Sequence, residues 1–333
     1  MCSDTTCKAY TIVGTTIMYC ATLLSLLALL SGCAEVSRIM GSTWHEKCSW
    51  VAEDYFDDPK VISLCKAIEA NDLEEIDRLV AAGADVNAQG KGKMTPLLWA
   101  FPDNKLARFE RLLQHGANPN VIIESDFNTR GGMLPGDSVT HMAARTYFPG
   151  YCKTVFEHGG DPNLPRLSRL GSGDTPIFSV IKFGSKDKIK DVRSLIDKGA
   201  DLNHLNESGT TPTMMAVGRG QYEIALMLLE AGANPRIYQG NQMMKLVHVV
   251  NRQETLLPNS TAQQYADYQK LVKWLEDHGE SIEEAKADEA RWKSWGGYGL
   301  EKKAKLMEQE KRKRLAKEAR EKQADDEGEQ DNG

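Results

Sequence analysis

With 333 residues, 41% hydrophobic and 26% charged, the chain has apolar material for a sizeable core and is not disordered throughout. Lys plus Arg total 41 against 47 Asp plus Glu, a net charge of −6, which argues against a general nucleic-acid binder, because such a protein shows a basic footprint. Seven cysteines in this length exclude a disulfide-dense mini-scaffold.

Residues 9–32 contain no charged side chain, and this run of 24 is long enough for a bilayer, which needs roughly 20. Its Leu-rich end, Thr22 to Leu30, runs into Leu30-Ser31-Gly32-Cys33. This tetrad resembles the lipobox of bacterial lipoproteins. The resemblance implies a signal peptide over 1–32, cleavage before Cys33, and lipid on the Cys33 sulfur and new amino group. The segment before the Leu-rich run departs from the pattern: it carries only Lys8, offset by Asp4. The alternative is an uncleaved membrane anchor with a cytoplasmic stub. Both place the remainder outside the cytoplasm, and Ala34 after the Cys favours the outer membrane, facing the periplasm. Residues 33–60 read as a leader or tether.

The middle of the chain repeats. Gly83-Ala-Asp-Val-Asn87, Gly116-Ala-Asn-Pro-Asn120, Gly159-Gly-Asp-Pro-Asn163, Gly199-Ala-Asp-Leu-Asn203, Gly232-Ala-Asn-Pro-Arg236 and a degenerate Gly279-Glu-Ser-Ile282 follow at intervals of 33, 43, 40, 33 and 47 residues. Upstream of the second to fifth glycines stand Thr95-Pro96-Leu97, Ser138-Val139-Thr140-His141-Met142-Ala143, Thr175-Pro176-Ile177 and Thr211-Pro212-Thr213. Thr or Ser caps a first helix, and Pro follows where its missing N–H costs nothing. A second helix with apolar spacing, such as Tyr222, Ile224, Ala225, Leu228 and Leu229, ends at the Gly. His115, His158 and His278 precede these glycines, where a partial positive charge suits the helix dipole.

The pattern resembles the ankyrin repeat, whose period is 33 and whose signature is T-P-L-H-x-A. The resemblance covers residues 61–282 and implies an all-α ankyrin-repeat solenoid of about six units. It also implies protein binding through finger tips and the inner ends of the first helices. Aligned on the T-P position, Arg145, Phe183 and Arg219 fall on that inner side, with Asp103, Thr146 and Lys182; the fingers add Arg166, Arg169, Tyr238, Lys91, Lys93 and His204. The row is basic overall, so an acidic partner surface is expected. Between Gly116 and Ser138 the connection is 22 residues against 12 in regular units. This long finger is expected to expose Ile122, Ile123 and Phe127, with Arg130, toward a partner.

Beyond residue 282 a charged helix is expected over 283–323, with Trp292, Trp295 and Tyr298 capping the last repeat. Residues 301–322 hold ten Lys or Arg and five Glu, and 324–333 read as an acidic disordered tail. Cys152 is expected to be a buried thiol. Cys48 and Cys65, 17 apart, are expected to form a disulfide in an oxidising compartment.

No H-E-x-x-H, G-x-S-x-G or G-x-x-x-x-G-K-[ST] occurs, and no Cys/His set has zinc spacing, so neither catalytic residues nor a metal or cofactor is expected. The first functional reading is an envelope-anchored binding protein neutralising one specific partner, resembling the ankyrin lipoproteins that act as immunity partners of lipase-type toxins. The alternative is an envelope-assembly adaptor or protector of a periplasmic enzyme.

Overall fold

The computed structural model describes residues 43–129, 132–167, 173–239 and 244–294, together with 308, 309 and 312. Among them every regular element is a helix. The expected lipid-bearing Cys33, the apolar segment before it, Trp295, Tyr298 and the acidic tail lie outside the described residues. No described helix is long and apolar enough to cross a membrane.

Short polar–Pro starts set the elements. The leader contributes α1 (Trp44–Cys48) and α2 (Ala52–Tyr55). Six helix pairs follow: α3 (Pro59–Ala70) with α4 (Leu73–Ala81), α5 (Pro96–Ala100) with α6 (Leu106–Gln114), and α7 (Val139–Arg145) with α8 (Tyr151–Glu157). Then come α9 (Pro176–Lys182) with α10 (Lys188–Asp197), α11 (Pro212–Gly218) with α12 (Tyr222–Glu230), and α13 (Leu246–Gln253) with α14 (Ala262–Asp277). Thr95, Ser138 and Thr211 cap α5, α7 and α11 by accepting the backbone N–H three residues on. First helices stack on first helices (α3 on α5, α7 on α9, α9 on α11, α11 on α13), and second helices on second, from α4 through to α14. The result is an all-α solenoid with one continuous core between the two rows.

The recurring Asn joins the units. Asn87 Nδ2 donates to the Gly116 carbonyl while Asn87 Oδ1 accepts from Asn118 N–H, at 3.0 and 2.7 Å. Asn120 does the same to Gly159 and Asp161, and Asn163 to Gly199 and Asp201. Asn203 accepts from Asn234 N–H. Arg236 stands where the next Asn would be, and its guanidinium reaches the Glu280 carboxylate and the His278 carbonyl.

The leader is not a free tether over 43–58. Trp99, four residues after Thr95 as Met142 is after Ser138, faces the inner side of the array and is fully buried. His45, Trp50, Tyr55 and Phe56 pack their rings on it, with centroids 5.1 to 6.4 Å away. Trp99 Nε1 donates to Glu69, and its carbonyl meets His45 Nε2 at 2.8 Å.

The long finger also departs from expectation. Phe127 and Ile123 are buried and Ile122 is half-buried. Phe127 packs edge-on to Trp50 and Tyr55, and its carbonyl accepts Trp50 Nε1–H at 2.8 Å. Asn128 Nδ2 reaches the Cys48 carbonyl. The finger is tied to its neighbours by Glu124 N–H to the Gly92 carbonyl and by Leu167 N–H to the Gly136 carbonyl. Gly92 sits at φ 66°, and a Cβ there would lie 2.8 Å from Ser125 Cβ, so only glycine allows the two fingers to touch. The apolar residues of the insertion are therefore packing partners of the leader. Arg130 lies outside the described residues.

The expected Cys48–Cys65 disulfide is not formed. Cys65 points from the middle of α3 into the packing against α4 and α5, whereas Cys48 closes α1 beneath the long finger; both are buried thiols. Burial pushes the Cys65 and Cys152 thiols up, so neither is a ready nucleophile.

At the far end, α15 (Ile282–Ser294) packs on α13. His248 stacks on Trp292 with centroids 4.9 Å apart, and its Nε2 lies 3.3 Å from Asp288. The chain after the last repeat thus covers it through Trp292. Of its remainder, residues 308, 309 and 312 are helical and exposed.

Phe127→Ala should remove a buried ring and cost about 3 kcal/mol, the scale for a core aromatic. Urea unfolding followed by tryptophan fluorescence checks this; an unchanged midpoint would return Phe127 to the surface.

Candidate functional site

The inner face is filled by the leader at its start and opens at the second to fourth units. There a groove of about 580 Å³ is lined by Trp44, Phe101, Met142, Tyr147, Phe148 and Phe183, with Arg145 and Arg166 among the polar members. Tyr147 is 72% exposed, and Phe148 and Phe183 are each 47% exposed. Three large aromatic groups facing solvent side by side form a patch of the kind that marks an interaction site.

One wall rests on Asp103. Its carboxylate accepts Trp44 N–H at 2.8 Å and Arg108 Nη2 at 3.4 Å, which holds the leader at the groove's edge. Arg108 is buried and also donates to the carbonyls of Ile68, Ala100 and Pro102. Burial lowers its pKa, and Asp103 is the main opposing influence.

The floor rests on two buried carboxylates, each just before a helix cap. Asp137 accepts from Arg145, eight residues on, at 2.8 Å, and from Arg166 in the next finger. Asp174 repeats the arrangement with Lys182, again eight residues on, and also accepts Asn206 Nδ2 at 2.8 Å. Breaking such a buried pair costs about 3–5 kcal/mol. Arg145 Nη2 additionally donates to the Gly132 carbonyl, fixing the root of the long finger beside the groove.

Beyond Phe183 the cations meet carbonyls rather than acids. Arg219 Nη2 donates to the Lys182 carbonyl at 2.8 Å, and Lys188 Nζ to the Ile181 carbonyl at 3.3 Å. Both sit at the α9 C-terminus, whose dipole favours positive charge. Burial, then the nearby Arg219 guanidinium, hold the Lys188 ammonium below its usual pKa.

His141, the motif histidine of the third unit, lies behind the groove. Its Nε2–H donates to the Leu164 carbonyl, so Nδ1 accepts from the Ser138 hydroxyl at 2.8 Å. Burial drives its pKa down to about 4, against opposing pulls from Asp137 and the Leu164 carbonyl. The Nε2 bond ties this unit to the next finger, and the Nδ1 bond ties the ring to the cap of its own helix.

Residues 140–239 match the family model of ankyrin repeats, in three copies. This segment carries ankyrin repeats. An ankyrin repeat protein of Acanthamoeba polyphaga mimivirus is 40% identical over 73 residues, covering 22% of this chain and 45% of that protein. The mitochondrial disaggregase of Bos taurus is 28% identical over 181 residues, covering 53% of this chain and 24% of its own length. This chain therefore spans less than half the length of either relative. A solved ankyrin repeat domain from Acinetobacter baumannii AYE aligns over 62% of this chain and 94% of that chain, at 22% identity and a TM-score of 0.49. Ankyrin repeats mark a protein–protein interaction module.

Of the residues singled out from sequence, Arg145, Arg166 and Phe183 line one groove and Arg219 adjoins it. Arg166 is a correction: it is buried against Asp137 and forms the floor rather than an exposed fingertip. Tyr238 lies outside that lining, beside Lys245. Arg169 lies outside the described residues. Trp44, Phe101, Tyr147 and Phe148 are groove residues that sequence reasoning missed. The signal for two of them was present in Thr146-Tyr147-Phe148-Pro149, an aromatic pair directly after an inner helix.

The His141 arrangement predicts the pH response of the array. The folded pKa of about 4 lies below the unfolded value, 6.5. The unfolded chain therefore takes up the proton first on acidification. Stability is full above pH ~6.5 and is lost as pH falls toward ~4, by about 3 kcal/mol. His45, lowered chiefly by burial, acts in the same direction. Urea midpoints measured across this window should fall with pH in the wild type and fall less in His141→Asn; parallel curves would contradict the assignment.

Proposed function

We propose that the chain is a non-enzymatic docking module that holds one specific partner protein against the aromatic groove of its inner face. The observation that carries this reading is the trio Tyr147, Phe148 and Phe183, exposed side by side on a stiff platform. The Leu30-Ser31-Gly32-Cys33 tetrad after an apolar run supports lipidation at Cys33. On this reading the protein is tethered in the bacterial envelope, in the outer membrane facing the periplasm. A tethered binder fits an immunity role, in which it neutralises a toxic effector of the lipase type by covering its active-site entrance. No chemistry is then required of this chain.

The test has two arms in the native host. Labelled palmitate should enter the wild type and not Cys33→Ser. Cross-linking in intact cells should join the full chain to one protein, and Phe183→Ala should weaken that capture by about thirtyfold in affinity, or roughly 2 kcal/mol. Capture that persists undiminished in Phe148→Ala/Phe183→Ala would overturn the groove as the docking site.

A further inference from the structure

The groove is composite, and its charge is lopsided. Its apolar wall comes from three separated parts of the chain: Trp44 of the leader, Phe101 after α5, and Tyr147, Phe148 and Phe183 after α7 and α9. A volume of about 580 Å³ falls within the range of ligand clefts, a few hundred to about 1,000 Å³. That admits anchoring side chains from a partner, not a folded domain. The leader's hold on Asp103 fixes Trp44 in the same lining as Phe183.

The charged groups on and beside the lining are Arg145, Arg166, Lys182 and Arg219 against Asp103, Asp137 and Asp174, and the last two carboxylates are buried. Arg219 is exposed, and its hydrogen bond uses Nη2 alone of a guanidinium with five N–H donors. Arg145 donates through Nη1 and Nη2. Each keeps donor capacity for an incoming acceptor. A guanidinium beside an apolar cleft favours carboxylates, which it can engage bidentately.

Resting on the docking reading above, we propose that the occupant is a partner segment in which Phe, Trp, Leu or Ile is flanked by Asp or Glu. The apolar side chain enters between Tyr147, Phe148 and Phe183, and the carboxylates meet Arg145 and Arg219. Complementary charge sets the direction of the segment, while the aromatic contacts hold it. A basic or uncharged segment of the same apolar content leaves the cations unmatched and is rejected.

The test is selection of random dodecapeptides displayed on phage, using the full chain as bait and Phe148→Ala/Phe183→Ala as the control bait. Enriched sequences should place an acidic residue within two positions of a large apolar one. A synthetic peptide of that sequence should bind Arg219→Glu and Phe183→Ala at least about tenfold more weakly than wild type, with unchanged melting temperatures. Binding should also weaken when salt rises from about 0.1 M to about 1 M, as the Debye length falls from about 10 to about 3 Å. Enrichment of basic or neutral sequences would overturn the proposal, as would equal enrichment on the control bait or indifference to Arg219→Glu. If partner capture in cells depends on Phe183 but no acidic pattern emerges, the occupant's chemistry is wrong and the docking module stands. If capture ignores Phe183, the module itself falls.

Discussion

The side-chain amide of one asparagine per unit does what a tight fold would otherwise ask of a long-range core. Asn87, Asn120 and Asn163 each donate to the glycine carbonyl ending the next unit's second helix and accept an N–H just beyond it. Both halves of the amide are satisfied across the joint, so each unit fixes the position of its neighbour. Where Asn gives way to Arg236, the guanidinium keeps the reach to a helix-end carbonyl and gains Glu280. With the joints set this way, the inner helices form a row whose exposed ends share one side. Everything about the groove follows from that alignment.

What happens on the inner face is set by competition for it. Trp99 presents a large apolar surface where the next units carry Met142 and Ser179. Left open, it would be an interaction patch by itself. The leader covers it, and Phe127 of the long finger comes down on the leader from the other side. The insertion thus clamps the chain's own N-terminal segment, and the hydrophobic gain stays within the molecule. The groove begins where that cover stops, at Trp44.

The array was legible because the motif residues act locally. A Thr-Pro pair caps the helix it starts, the Gly ends the helix before it, and Asn reaches exactly one unit along, so spacing alone reports the geometry. The long finger was not legible. Ile123 and Phe127 read as exposed because no neighbour in sequence could bury them; their partners lie far off, and Trp50 is 77 residues from Phe127. Arg166 read as a surface charge because Asp137, which buries it, belongs to the previous unit. Cys48 and Cys65 are near in sequence, but that spacing carries no information about their placement, one ending α1 under the long finger and the other buried in the middle of α3. The aromatic wall was missed for a different reason: it is assembled from loop residues that no repeat motif marks.

The account depends on the leader and the long finger being part of the fold rather than mobile attachments. Hydrogen exchange of the full chain, read by mass spectrometry over 43–58 and 121–137, tests this most directly. The amides of Trp50, Ile123 and Gly136 are bonded to carbonyls within these segments, and that of Glu124 to the Gly92 carbonyl of the preceding finger. They are predicted to exchange as slowly as those of α7 and α9. Exchange of both segments at the rate of an unstructured chain would mean that Trp99 and the inner face of the first repeats are open, and the account of the groove would fail.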